Sequence, residues 1–291
     1  MTPILSAQKP SNFTYLIILG TLQDGNSPHL GCEKKCCKFL NEFQKEERKV
    51  TSLAVIQPKN NFNILFEATP NIISQWTALP CKPKGIFLTH AHMGHYSGLL
   101  QLGREALGAK NIPVHVMPKM ATFLQENAPW SQLISIGNIE LKPMLANQAV
   151  RFSDDITVTP ILVPHRDEFS ETVGYRIQGP NKTVLFIPDI DKWSKWNQNL
   201  IAVLETVDYA FLDATFFDQE EIKYRALEEI PHPLVEETIA YLKPASRQLK
   251  SKIYFIHMNH TNPLLDFQSK ATKWVIDQGF HIARKGQQFQ L

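Results

Sequence analysis

GIFLTHAHMGHYSGL, residues 85–99, is the stretch on which the reading of this chain turns. Its first residues, Gly85 to Leu88, are apolar and partly aromatic, which predicts a short buried strand. His90, His92 and His95 follow at once, three imidazoles within six residues. Neutral imidazole is the commonest ligand for zinc and related ions. His90 and His92 flank a single residue, so in an extended loop both rings can face one ion. His95, three residues on, can face a neighbouring position. A site with three protein ligands keeps a fourth position for water, and the ion lowers that water's pKa towards ~7. Gly94 is the exception in the pattern, because a carboxylate just before His95 would be the useful residue there.

Outward from this stretch, short β-branched and aromatic runs predict strands over 15–21, 53–57, 63–68, 114–118, 156–164, 172–178, 183–189, 209–213 and 252–257, besides 85–90. Apolar residues at helical spacing predict helices over 71–79, 96–108, 119–127, 232–243 and 264–278. Sheets covered by helices follow, an α/β or α+β layered architecture. The polar residues fall in a pattern that core packing does not need. His90, His165 after ILVP, Asp189 after LFIP and His257 after YFI each end a strand-like run. Strand ends that feed loops on one sheet edge are where sites are usually built.

The chain has 291 residues, 43 % of them hydrophobic, enough for a sizeable core. A net charge of +2 with mixed signs gives no electrostatic case for a nucleic-acid or membrane-surface partner. No apolar run approaches the ~20 residues that cross a bilayer. MTPILSAQKPSNF lacks the basic and apolar regions of a signal peptide, so a cytoplasmic location is expected, with the periplasm left open if the N-terminus is a processed one. Of four cysteines, Cys32, Cys36 and Cys37 are bunched and Cys81 is isolated, which suggests metal more than cross-links.

The order His90-x-His92-x-x-His95, His165, Asp189, His257 resembles the metallo-β-lactamase-fold hydrolases, whose first motif reads His-x-His-x-Asp-His. Within them the chain is similar to the subgroup around pyrroloquinoline quinone biosynthesis protein B and the phosphonate-pathway cyclic phosphodiesterase. That finer likeness rests on GTLQDGNSPHLGCEKKCC (20–37) and FIHMNHTNP (255–263). The resemblance implies a four-layer αββα sandwich, with residues 1–12 an N-terminal extension and 13–291 the hydrolase domain. It implies active-site metal ligands His90, His92, His95, His165, Asp189 and His257, with Asp189 shared and Glu67 in an early acidic turn. It further implies a structural zinc on Cys32, Cys36, Cys37 and His260, although Cys-x-x-x-Cys-Cys departs from the subgroup's Cys-x-Cys-x-x-Cys. Adjacent Cys36 and Cys37 would need a turn to share an ion; the alternative is reduced thiols. Cys81 reads as a plain thiol.

Gly94 removes the second metal's aspartate. Three readings follow: one ion only; two ions with water or substrate filling the gap; or another acid, such as Asp167, Glu168 or Asp191, reaching in. One tight ion and one weaker one is the favoured expectation. On the substrate side, Asp213, Thr215, Phe216, Phe217 and His232 could line a pocket mouth, with His232 a proton donor or a loop histidine. Trp193 and Trp196 could form an aromatic wall or belong to the core. The helix start at Tyr96 and Ser97 could bind an anion. The expected function is hydrolysis of a phosphodiester or another small ester by metal-bound hydroxide, with Asp189 or a loop acid orienting the nucleophile. The ion is expected to be Zn2+, with Mn2+ or Fe2+ as alternatives. The expected partner is a small anionic molecule, with no nucleic acid and no membrane, and a homodimer is allowed for. The rival functions are an iron-dependent oxygenase and a metal-binding protein with a decayed, non-catalytic site.

Overall fold

The computed structural model describes residues 13–223, 226 and 229–291; the proposed extension 1–12 lies outside them. Two seven-stranded sheets face each other. The first runs in the order β14 (Gln288–Gln290), β1 (Tyr15–Gly20), β2 (Ser52–Gln57), β3 (Phe62–Phe66), β4 (Ile86–Phe87), β5 (Ile112–Val116), β6 (Ile139–Pro143). The second runs β13 (His281–Ile282), β12 (Ile253–Ile256), β11 (Tyr209–Asp213), β10 (Thr183–Ile187), β9 (Val173–Gln178), β8 (Ile156–Leu162), β7 (Val150–Ser153).

Alternation along each strand sorts the side chains into three cores. In β2, Leu53 and Val55 face the other sheet, while Ala54 and Ile56 face outward. In β10, Val184 and Phe186 point inward and Leu185 and Ile187 outward. Both faces are covered, which is why these strands read as continuous apolar runs. Helices Ile72–Thr77, Pro118–Glu126 and Trp130–Ser135 cover the first sheet. Leu200–Glu205, Val235–Tyr241, Arg247–Lys250 and Lys270–Asp277 cover the second. The result is the expected four-layer αββα sandwich. No helix among the described residues is long and apolar enough to cross a membrane.

All ten expected strands are present, with β4 shorter than expected. β6, β7, β13 and β14 escaped the sequence reading because they are short or polar on one side. The expected helix 264–278 breaks in two: a 3-10 turn at Pro263–Leu265, then a helix from Lys270 capped by Ser269, whose side chain accepts from Thr272 N. Phe267, between them, is exposed under the Arg284 guanidinium instead of lying on a helix face.

Strand direction positions the site. β3, β4 and β5 are mutually parallel, as are β10, β11 and β12. β1 is antiparallel to β2, which is antiparallel to β3; β8 is likewise related to β10 through β9. The C-terminal ends of β1, β3, β4, β8, β10, β11 and β12 therefore open on one edge.

Candidate metal centre

Each of these strand ends delivers a metal-competent or supporting side chain to that edge. β1 leads to Asp24, β3 to Glu67, β4 to His90, His92 and His95, β8 to His165, β10 to Asp189, β11 ends in Asp213, and β12 leads to His257. Glu67 and His257 turn off their strands in the left-handed region, with φ of 73° and 65°. Such backbone strain in a non-glycine residue persists where the surroundings hold it, and it clusters at functional sites.

Two neighbouring groups of ligand atoms result, and a third, His165, Asp189 and His232, overlaps both. The first is His90, His92 and His165, the second Asp24, His95, Asp189 and His257. Within each group the ligand atoms lie within 4.8 Å of one another. His90 Nε2 is 2.7 Å from His92 Nδ1. Asp189 stands between the groups. Its Oδ1 is 3.8 Å from His165 Nε2, and its Oδ2 is 3.0 Å from His95 Nε2 and 3.2 Å from His257 Nε2.

The far sides of all these rings but that of His165 are held by the protein, which fixes the nitrogen that faces inward. Thr89 Oγ1 is 2.9 Å from His90 Nδ1, and Thr215 Oγ1 is 3.0 Å from His257 Nδ1. Glu67 Oε1 is 3.4 Å from His95 Nδ1, and its Oε2 accepts from Thr89 N. His92 alone faces inward through Nδ1, its Nε2 lying 3.4 Å from Glu168 Oε2.

These residues fit divalent cations. Both ring nitrogens of His165 are buried without a hydrogen-bond partner, and Asp189 Oδ2 receives no properly directed hydrogen bond. Unpaired buried polar atoms are costly, and here they converge with other lone pairs. Burial pushes the His165 imidazole down to about 4 and that of His90 well below its usual range, so both are neutral and competent as ligands. Burial alone would raise the Asp189 carboxyl, but His257 and His95 hold it well below the usual carboxylate range. Burial would lower His95, yet the Asp24 and Glu67 carboxylates raise it well above its usual value.

Asp24 is the residue that sequence reading missed. Its Oδ1 is 3.0 Å from His95 Nε2 and 3.2 Å from His257 Nε2. The second group thus has four members, and the acid that reaches the position left by Gly94 is Asp24, not one of the three named from the sequence. The three acids named as substitutes are engaged elsewhere. Asp167 accepts from Thr172 Oγ1, Glu168 lies by the outer nitrogen of His92, and Asp191 pairs with Lys195. A signal for Asp24 was present: it follows a strand-like run, as the other ligands do.

The surroundings decide between alternatives that the sequence left open. His232 is buried, with Nδ1 2.8 Å from Asp213 Oδ2 and 3.6 Å from Asp189 Oδ1. Burial would lower its pKa, but the Asp213 carboxylate outweighs this and raises it. Asp213 and Thr215 are therefore supports for His232 and His257, not lining of a pocket mouth. Phe217 is buried in the core and Phe216 packs partly buried beside Ile222, Ile230 and Leu234. Trp193 and Trp196 belong to the outer core of the second sheet, their indole N–H groups donating to Thr238 Oγ1 and Leu162 O. Trp193 also borders a cavity of 520 Å³ with Asp191, Lys192 and Pro233. The helix after the histidines starts at Met93, not at Tyr96 and Ser97, and its Gly94 N–H meets Asp24 Oδ2 at 3.3 Å.

The cysteine cluster is assembled as the resemblance implies. Ligand atoms of Cys32, Cys36, Cys37 and His260 converge, and the short helix Lys35–Lys38 supplies the turn that adjacent Cys36 and Cys37 need. Sγ separations are 3.9 Å for Cys32–Cys36 and 4.0 Å for Cys36–Cys37. A tetrahedral zinc would hold its sulfurs about 3.8 Å apart. Burial and the neighbouring thiols push Cys36 up to about 12, so the cluster needs a cation to ionise together. Cys81 is a free thiol, accepting from Asn63 Nδ2.

A double-sheet sandwich with histidines and aspartates converging at one strand edge defines a metal-binding metallo-β-lactamase fold. Residues 62–258 match the family described as the beta-lactamase superfamily domain, and the chain belongs to that family. Coenzyme PQQ synthesis protein B of Nitrosococcus oceani is 21 % identical over 310 residues, covering 92 % of this chain and 97 % of its own length. The protein of the same name from Xanthomonas oryzae is 24 % identical over 309 residues, with 95 % and 99 % covered. Among solved structures, the Zn2+-bound PqqB from Methylobacterium extorquens is similar with a TM-score of 0.79 at 21 % identity, over 95 % of this chain and all of that one. A diphosphatase from the PhnP family follows with 0.67 at 21 % identity, over 96 % and 97 %.

Proposed function

We propose that the protein is a metal-dependent hydrolase of small anionic esters, phosphodiesters in first place, with zinc as its resident metal. One observation carries this reading: seven side chains from five strand ends form two adjoining ligand groups, with the two oxygens of Asp189 facing different groups. His90, His92 and His165 would hold one ion, and Asp24, His95, Asp189 and His257 the other. Bound there, the metal supplies Lewis acidity and lowers the pKa of a water towards ~7.

The chain's own residues do the remainder. Asp213 accepts from His232 Nδ1 and so keeps the ring oriented, with Nε2 left to carry a proton to a leaving oxygen. Arg166, exposed 3.5 Å from the outer nitrogen of His92, offers positive charge to an arriving anion. Lys192 fastens the segment around His232 by donating to its carbonyl and to Glu237. The likeness of fold to a PhnP-family diphosphatase supports a phosphorus-containing substrate.

The test is hydrolysis of bis(p-nitrophenyl) phosphate and a panel of phosphonate esters, lactones and thioesters by protein purified without chelator. Activity should vanish on chelation and return with zinc or manganese. His232→Gln should lower kcat by about 100-fold or more with metal content unchanged. Native iron with oxygen consumption and no hydrolysis would overturn the proposal in favour of an oxygenase. Unchanged metal content and behaviour in His90→Ala would point to a non-catalytic protein.

A further inference from the structure

Asp24 and Gly94 occupy one space. A Cβ on residue 94 would lie 2.6 Å from both Cα and Cγ of Asp24 and 2.7 Å from its Cβ. Contacts that short do not occur, and most of the atoms met belong to the backbone or the root of the side chain. A side chain at 94 and the observed Asp24 therefore exclude each other. The carboxylate needed beside His95 is present, but it comes from a loop 71 residues away.

That loop has little regular structure of its own; residues 24–31 form turns. It is tied down at both ends by the segment that carries His257. Gln23 N donates to Met258 O, and Leu22 forms a bridge with Met258. Further along, His29 stacks on His260 at 4.4 Å, and its N–H reaches Cys37 Sγ at 3.3 Å. The three cysteines then converge on His260, three residues beyond His257. Arg48 Nη1 links Ser27 Oγ to the Cys36 carbonyl across the same loop. The cysteine site thus joins the loop that offers Asp24 to the loop that offers His257.

We propose that Asp24 supplies the ligand that residue 94 lacks, and that an ion on Cys32, Cys36, Cys37 and His260 clamps the Asp24 loop against the His257 loop, so that filling the cysteine site controls occupancy of the second active-site position. This rests on the metal-centre reading above, but its test counts ions and does not depend on hydrolysis. A flexible loop pays conformational entropy to present one carboxylate; an ion that fixes the loop beforehand removes that cost from the second binding event.

The experiment is metal analysis of the full chain after dialysis, with zinc titration and with cobalt substitution. Cobalt gives a thiolate charge-transfer band for the cysteine site and weaker visible bands for the histidine sites. Wild type should hold three ions. Asp24→Asn, close in shape, should lose one and keep the thiolate band. Gly94→Asp alone should also lose one through crowding, and Asp24→Gly combined with Gly94→Asp should regain it. Cys36→Ser with Cys37→Ser should lose the thiolate band and weaken the second active-site position at least tenfold, leaving the ion at His90, His92 and His165. A mercurial titration of the wild-type thiols reaches the same state without a substitution that could impair folding. Three ions of wild-type affinity in Asp24→Asn would overturn the ligand role. Unchanged affinity at the second position after thiol blocking would overturn the clamp. A wild type with no ion on its histidines would instead bring down the hydrolase reading, and this proposal with it.

Discussion

His115 shows how one residue's surroundings set its chemistry away from the metal centre. It lies on β5, stacked 4.5 Å from Phe87, and burial pushes its pKa down to about 4. An unfolded histidine titrates near ~6.5. The unfolded chain therefore binds the proton more readily between those values. The stability contribution is fully present above ~6.5 and is lost as pH falls towards about 4. We expect His115→Gln to lose less stability between pH 7 and pH 5 than wild type, read as urea midpoints; equal losses would show that His115 does not titrate differently on folding. At the site, the residue scale was partly legible. His90, His165, Asp189 and His257 could be named because each ends an apolar run, and His92 and His95 because they crowd beside His90. Asp24 follows a strand-like run as well, but nothing in a linear reading says that it fills the volume vacated at Gly94.

At the scale of elements, capping decides where the last helix begins. The apolar spacing from Leu264 suggested one helix to Gln278, but Ser269 caps a helix starting at Lys270. Removing the cap in Ser269→Ala should cost about 1 kcal/mol, a fall in Tm of roughly 2–4 °C by calorimetry. The strands were more legible than the helices. Strands such as β10 and β11 are buried on both faces and announce themselves as apolar runs. Short helices such as Lys35–Lys38 and Arg247–Lys250 have too few turns to show a period, and tertiary contacts hold them. The short helix Lys35–Lys38 matters most among them, since it brings adjacent cysteines to one point.

For the whole molecule, two layers of packing and a set of buried charges must balance. Phe186 is fully buried between the sheets against Phe66. Phe186→Ala should cost about 3–5 kcal/mol, measured from the urea midpoint, because a rigid inter-sheet core collapses only partly around a cavity. Removing metal should also destabilise the fold, since Asp24, Glu67 and Asp189 would then share a largely buried edge without a divalent cation. An ion at a hundred times its Kd contributes about 2.7 kcal/mol, so chelation should lower Tm by about 5–10 °C, reversibly on adding zinc. The sequence by itself determined the layered architecture and six histidine or aspartate positions at the active edge. Both are written in local patterns: alternation of apolar residues, and polar residues where such runs stop. Tertiary structure alone decided that Asp24 joins His95 and His257, that Asp213 supports His232, and that the cysteine loop is fastened beside His257. Those pairings depend on which strand ends meet across two sheets and on which atoms can share one volume, and no local pattern carries that information.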